Sequence, residues 1–365
     1  MAQESNKIKR IVFTGGGTAG HVTPNIALIE PLLSEGWDVH YIGSDSGMEK
    51  GLIEGISGVT YHGISTGKLR RYFSWQNFID PFRVLKGCFQ ARKLIRTLRP
   101  DVVFSKGGFV SVPVVLGAGK VPVIAHESDY SPGLSNRIAT RFTDKVCLSF
   151  EDTLAHIPKG KGIFTGTPIR PALYAGSRER ALAFTGFSGE KPVLLVMGGS
   201  LGAQKLNELT RAALPMLCER FEVIHLCGKG KNDCSCISCG YNQYEYINEE
   251  LPDLFALADI VLSRAGANSV FELLALNKPS VLVPLTSAST RGDQLLNATY
   301  FAKKGYAKVV DQNTATPESL VAVIDEVYQA REAYTERMRE DTRSDGTQGI
   351  LAIIKEAVNN GSNNR

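Results

Sequence analysis

Nine short runs of apolar, mostly β-branched residues punctuate the chain, at 11–13, 39–42, 102–104, 122–125, 145–148, 193–197, 223–226, 260–262 and 280–283. Helical patterns separate nearly all of them. A strand that lacks polar alternation is buried on both faces, and strands joined through helices run parallel. The pattern therefore predicts an α/β chain built on doubly wound parallel sheets. Two runs lead into glycine-rich turns and then helix starts: 11–13 into Gly15-Gly-Gly-Thr-Ala-Gly20, and 193–197 into Gly198-Gly-Ser-Leu-Gly-Ala203. At 365 residues the chain is long enough for two domains, so it reads as two Rossmann-like halves across a cleft rather than one large sheet. The join is expected near Gly166-Thr-Pro-Ile-Arg170, giving domains 1–166 and 167–345.

Charge narrows the partners. Forty-one Lys plus Arg against 37 Asp plus Glu leave a net charge of +4, too small for a chain whose whole surface binds nucleic acid. Hydrophobic residues at 43% and charged residues at 21% exclude a disordered or disulfide-scaffold class. Residues 1–10 lack a secretory pattern, and no run approaches the roughly 18 apolar residues of a spanning helix. The odd count of seven cysteines suits a reducing cytoplasm. The tail from Asn359 is expected to fray.

Gly15–Gly20 satisfies G-x-G-x-x-G directly after a strand, which lets backbone approach a phosphate at a helix N-terminus. His21 follows at the helix start, where the dipole favours the neutral imidazole that a general base needs. The competing readings are a glycine turn used for packing and a histidine that only caps it. Ser263-Arg-Ala-Gly-Ala-Asn-Ser-Val-Phe-Glu272 opens a second anion-receptive helix. There Glu272 can accept hydrogen bonds from ribose hydroxyls, or Ser269-x-x-Glu272 can be a capping box with no other duty. Ser200 supplies a hydroxyl in the third glycine loop. Three such loops at strand ends point to a cleft holding a phosphorylated ligand.

The cations are concentrated. Residues 68–99 hold nine Lys or Arg and one acid, Asp80. Asp80-Pro81 reads as a helix start, with Val84, Cys88, Ala91, Ile95 and Leu98 as its core-facing stripe. On the other side Phe82, Leu85 and Phe89 lie among Lys86, Arg92, Lys93 and Arg96. Large apolar groups ringed by cations suit an anionic membrane surface, the alternative being an ordinary solvated basic face. Nucleic acid is disfavoured, since no stacking platform accompanies the charge. Cys234-Ser-Cys-Ile-Ser-Cys239, with Cys227 upstream, has metal-compatible spacing but is expected to be a surface loop of redox-sensitive thiols.

Several segments together carry a resemblance: Gly16-Gly-Thr-Ala-Gly-His21, Ser105-Lys-Gly-Gly-Phe-Val-Ser-Val-Pro113, and His126-Glu-Ser-Asp-Tyr-Ser-Pro-Gly-Leu-Ser-Asn-Arg137 in the first half. The second half adds Gly166–Arg170, Gly198–Ala203, Ser263–Glu272 and Arg291-Gly-Asp-Gln-Leu-Leu-Asn-Ala298. In this order they resemble the MurG family, peptidoglycan N-acetylglucosaminyltransferases of the two-domain GT-B fold. The resemblance implies transfer of GlcNAc from UDP-GlcNAc to the muramyl 4-hydroxyl of lipid I, with inversion, giving lipid II. It implies an acceptor- and membrane-associating first domain, a UDP-GlcNAc-binding second domain, and a C-terminal helix, about 346–358, packed back on the first.

By matching motif, Arg170 and Ser200 would contact the diphosphate, and Ile247 would meet uracil through its backbone. The turn Ala267-Asn268-Ser269 would sit at the phosphates, Glu272 would hold ribose, and Gln294 would read GlcNAc. Thr18, Ala19, Gly20 and Asn136 would contribute from the first domain, with His21 the favoured base. Where the family usually has Gly, Gln-Asn and Gln-Gln, this chain has Ala19, Ser128-Asp129 and Asp293-Gln294, which makes Asp129 a second candidate base. No Asp-x-Asp pair is present to hold a metal on a diphosphate, so no metal cofactor is expected. The resemblance places the chain at the cytoplasmic face of the cell membrane as a peripheral protein, among cell-wall synthesis partners. Rival readings are a non-hydrolysing UDP-GlcNAc 2-epimerase, an NAD-dependent oxidoreductase using Asp45 as ribose ligand, and a non-catalytic binding protein on the same scaffold.

Overall fold

The computed structural model describes residues 8–67, 76–198, 203–236, 240–286 and 292–363. The chain divides into two compact units, Met1–Arg170 with Asp345–Arg365, and Pro171–Ser344. The first unit runs β1 (Arg10–Thr14), α1 (Thr23–Ser34), β2 (Asp38–Ser44), α2 (Met48–Glu54), β3 (Val59–Ile64), α3 (Gln76–Leu98) and β4 (Val102–Ser105). It continues through α4 (Ser111–Gly117), β5 (Val123–Glu127), α5 (Leu134–Ala139), β6 (Lys145–Leu148) and β7 (Gly162–Phe164). The second unit runs α6 (Arg178–Thr185), β8 (Val193–Met197), α7 (Gln204–Arg220), β9 (Glu222–Leu226), β10 (Tyr241–Tyr244), α8 (Leu251–Leu257) and β11 (Ile260–Ser263). There follow α9 (Ala267–Ala275), β12 (Ser280–Leu282), α10 (Asp293–Lys304), β13 (Ala307–Val309), α11 (Pro317–Gln329) and α12 (Arg331–Arg339). A last helix, α13 (Thr347–Asn363), belongs to the first unit.

Both sheets are parallel among the described residues, ordered β3-β2-β1-β4-β5-β6-β7 and β10-β9-β8-β11-β12-β13. Successive strand residues point to opposite faces, so a strand covered by helices on both sides must be apolar at every position. β1 shows this. Ile11 and Phe13 pack with Leu28, Ile29 and Leu32 of α1, whereas Val12 packs with Ala91 and Ile95 of α3 and Val114 of α4. The first of those clusters also takes in Ile350, Leu351, Ile354 and Val358, the apolar stripe of α13.

The nine runs read as strands are the nine interior strands of the two sheets. The four that the pattern does not reveal, β3, β7, β10 and β13, are the four edges. The join also differs from the expected 166. Thr167 donates its hydroxyl to Ser149 Oγ at 2.6 Å, the Gly346 N–H meets the Thr167 carbonyl at 2.8 Å, and the Ile169 N–H meets Thr347 Oγ1 at 3.0 Å. These bonds keep residues 167–170 with the first unit.

The basic helix departs from expectation too. α3 begins at Gln76, so Asp80-Pro81 lies in its second turn and is not its cap. Proline's fixed φ is helical, and its missing N–H removes a single bond there. Asp80 is buried, 3.5 Å from the Arg83 guanidinium.

Candidate active site

In each sheet the strand order reverses between two central strands, β1 and β4 in the first and β8 and β11 in the second. Helices leaving those strands diverge to opposite faces and open a crevice at the carboxyl ends, where doubly wound folds bind ligands. Each unit can be built from its own crevice outward.

In the first unit the glycine loop leaves β1 under a clamp. The Tyr41 hydroxyl donates to the Gly15 carbonyl at 2.8 Å, and the Gly17 N–H donates to Glu49 Oε2 at 3.2 Å. Glu49 is fully buried, and its other oxygen accepts from the Ser44 N–H at 3.0 Å and the Ser44 hydroxyl at 2.6 Å. Gly17 has φ +86°, and a side chain there would run into the Phe109 ring. The loop then makes a 3₁₀ turn, Ala19–His21, ahead of α1. His21 Nδ1 lies 2.8 Å from Thr18 Oγ1. Thr18 and Gly20 are exposed, and Ala19 and His21 are half-buried.

A second loop leaves β5 wrapped around a carboxylate. Buried Glu127 accepts from the Asp129 N–H at 3.0 Å, the Gly133 N–H at 2.9 Å and Asn136 Nδ2 at 2.9 Å. Beside it His126 is buried, and loss of hydration together with the Lys106 charge keeps its imidazole neutral, well below the ordinary histidine range. The two loops converge on Gly107 and Gly108. A side chain at Gly107 would meet Asn136, and one at Gly108 would meet the Gly16 carbonyl. Gly16 of the first loop and Asn136 after the second thus lie against adjacent glycines of the β4 loop, and Asp129 is on the same turn as Ser128. Glu49, Lys106 and Glu127 are buried charged residues against these loops that the motif reading did not single out as candidates. Buried charges are rare, and nothing in their spacing marks them.

In the second unit Ser200 lies outside the described residues. After β11 the buried Arg264 donates from Nη1 to the Val283 carbonyl at 2.8 Å, and α9 begins at Ala267 with Gly266 as its cap. The capping-box alternative for Ser269 and Glu272 is therefore not realised: Ser269 is the third residue of the helix and Glu272 the sixth. Asn268, Ser269 and Glu272 are half-buried, Ala267 buried. Asn297 Nδ2 donates to the Ala265 carbonyl at 3.1 Å and ties α10 to this turn, while Gln294 Oε1 accepts the Leu285 N–H at 3.0 Å. Asp293 is the first residue of α10, a position that the helix dipole favours for an acid. Ile247 follows edge strand β10, away from this cluster in the strand order, and Arg170 is the last residue of the first unit.

On α3, Phe82, Leu85 and Phe89 are 74%, 55% and 68% exposed, and Lys86, Arg92 and Lys93 are exposed beside them. Among the described residues no helix is long and apolar enough to cross a membrane, and no group of three or more His, Cys, Asp or Glu could hold a metal ion. Cys227 is buried, Cys234 exposed and Cys236 half-buried, all as free thiols; Cys239 lies outside the described residues.

Two doubly wound parallel sheets on one chain, each with a loop-lined switch point, are the architecture of GT-B glycosyltransferases. The N-terminal domain model of glycosyltransferase family 28 matches residues 11–148, and the C-terminal domain model of that family matches residues 193–351. The chain belongs to the MurG family within that class. It is 54% identical over 350 residues to the UDP-N-acetylglucosamine–N-acetylmuramyl-(pentapeptide) pyrophosphoryl-undecaprenol N-acetylglucosamine transferase of Geobacillus thermodenitrificans, covering 95% of this chain and 98% of that one. The same-named protein of Lachnoclostridium phytofermentans is 54% identical over 352 residues, covering 96% and 99%. The crystal structure of Acinetobacter baumannii MurG superposes with a TM-score of 0.74 at 26% identity, covering 95% of this chain and 99% of that one.

Proposed function

We propose that this protein transfers GlcNAc from UDP-GlcNAc to the muramyl 4-hydroxyl of lipid I, forming lipid II with inversion at the anomeric carbon. The observation that carries the reading is identity of 54% across 95% of the chain to a relative named for that transfer. The second unit takes the donor. Backbone N–H groups at the start of α9, over Ala267, Asn268 and Ser269, face the phosphates, and Glu272 accepts from the ribose hydroxyls. The backbone at Ile247 meets uracil, the Gln294 amide reads the sugar, and Arg170 and Ser200 bear on the diphosphate.

The first unit takes the acceptor through Thr18, Ala19, Gly20 and Asn136. The acceptor oxygen attacks C1 as the bond from C1 to the diphosphate oxygen breaks, and its proton passes to His21 Nε2 while Thr18 holds Nδ1. Asp129 is the second candidate for the proton. Charge gathering on the departing UDP is met by the helix N-terminus and Arg170, so the groups present suit a displacement without a metal cofactor. The apolar and cationic face of α3 suits the anionic cytoplasmic leaflet, where a lipid-linked acceptor would be found.

A transfer assay with UDP-GlcNAc and a lipid I analogue, run with and without EDTA, tests donor, acceptor and metal independence together. The expected outcome is GlcNAc on the acceptor at equal rates in both. Formation of UDP-ManNAc from UDP-GlcNAc alone would instead favour the epimerase.

A further inference from the structure

Lys106 is a buried cation at the reversal point of the first sheet. It follows β4, its N–H donates to the Thr14 carbonyl at 2.9 Å, and its side chain is 1% exposed. Its ammonium group donates to the Ser128 hydroxyl at 2.9 Å. A side chain added at Gly15 would lie 3.1 Å from Lys106 Cβ, so the lysine stem is also a wall of the glycine loop. The titratable groups that act on it are Glu127, Asp129 and His126, at the end of β5 and on its turn, while Glu49 clamps the glycine loop that the lysine stem walls.

Burying an ammonium group costs several kcal/mol unless partners offset it, and an apolar side chain would fill the same space without that cost. Glu127 is already engaged by two backbone N–H groups and Asn136. What the lysine adds is a grip on Ser128 and a positive charge beside Asp129.

We propose that Lys106 is a positioning residue for the transfer reaction, which rests on the transferase reading above: its charged form fixes the Ser128–Asp129 turn against the glycine loop that carries His21. Burial lowers its pKa to about 8, against the opposing pull of Glu127 and Asp129. It is therefore charged below that pH and neutral above it, so the charge beside Asp129 is lost and the bond to Ser128 weakens from charge-assisted to neutral as pH rises through 8. Stability moves the other way. Between about 8 and the ordinary lysine value the unfolded chain binds the extra proton, so unfolding becomes harder as pH rises. Activity and stability diverge, which a merely structural lysine would not produce.

The test measures kcat, KM for UDP-GlcNAc and thermal stability from pH 6 to 10 for wild type, Lys106→Met and Lys106→Arg. Lys106→Met should lose on the order of 10²-fold in kcat at pH 7, as misplacement of a reacting group does, with KM for UDP-GlcNAc within about twofold. Lys106→Arg, which stays charged throughout, should hold its activity at pH 9 where that of wild type has declined. A folded Lys106→Met with wild-type kcat, or a Lys106→Arg that keeps the wild-type alkaline decline, would overturn the proposal. If Lys106→Met does not fold, the Lys106→Arg profile decides alone. Absence of transfer by wild type would instead sink the transferase reading.

Discussion

Glu272 sits on the sixth residue of α9, beyond the reach of the helix cap, so removing its carboxylate leaves the start of the helix intact. Glu272→Ala should raise KM for UDP-GlcNAc by about 10- to 100-fold, the loss expected for hydrogen bonds to a charged group of about 1.5–3 kcal/mol. Thermal melting should hardly move; an unchanged KM would remove the ribose role. His21 is held by Thr18 through one ring nitrogen, which orients the imidazole before substrate arrives. His21→Ala should lower kcat by about 10²- to 10⁴-fold, the usual contribution of a positioned base. Single-turnover rates separate that chemistry from product release, and near-wild-type turnover would pass the role to Asp129. Both residues stand out in the sequence because a motif and a turn coincide there. Glu49 and Lys106 do not, since a charged residue reads by default as solvated, and only the fold shows that each is enclosed.

At the level of elements, legibility followed burial. β1, β2, β4, β5, β6, β8, β9, β11 and β12 are interior and covered on both faces, so their apolar runs are continuous. β3 and β7 bury little along their length, and their glycines and polar residues break the run. An edge strand is specified by the neighbour it pairs with more than by its own composition. The start of α3 was misjudged for a related reason, because Asp80-Pro81 is a strong local signal that the helix simply continues through. Its outward face yields a prediction independent of the catalytic site. Since Phe82, Leu85 and Phe89 are exposed, changing all three to serine should leave melting unchanged. Vesicle binding should fall at least tenfold. Changing Lys86, Arg92 and Lys93 to glutamine should lower binding to anionic vesicles alone, at about 1 kcal/mol per cation. Equal sedimentation of wild type with anionic and neutral vesicles would count against the membrane role.

For the whole molecule, the decisive feature is the route of the chain, which leaves the first unit at Arg170, builds the second, and returns at Asp345. α13 delivers four buried apolar side chains to the first core, Ile350, Leu351, Ile354 and Val358. At about 1.5–3 kcal/mol each, together about 6–12 kcal/mol, their removal approaches the full stability of a domain. Deleting residues 347–363 should abolish the calorimetric transition of the first unit while the second still melts cooperatively; two intact transitions would contradict this. The same route sets an order on biosynthesis. As the chain emerges from the ribosome, the inserted unit can complete its core while the first still lacks its closing helix. The usual N-terminal-first sequence of cotranslational folding is thereby inverted. A nascent chain released just after Ser344 would carry a complete second unit beside an open, apolar first sheet, a species marked for chaperones or proteolysis.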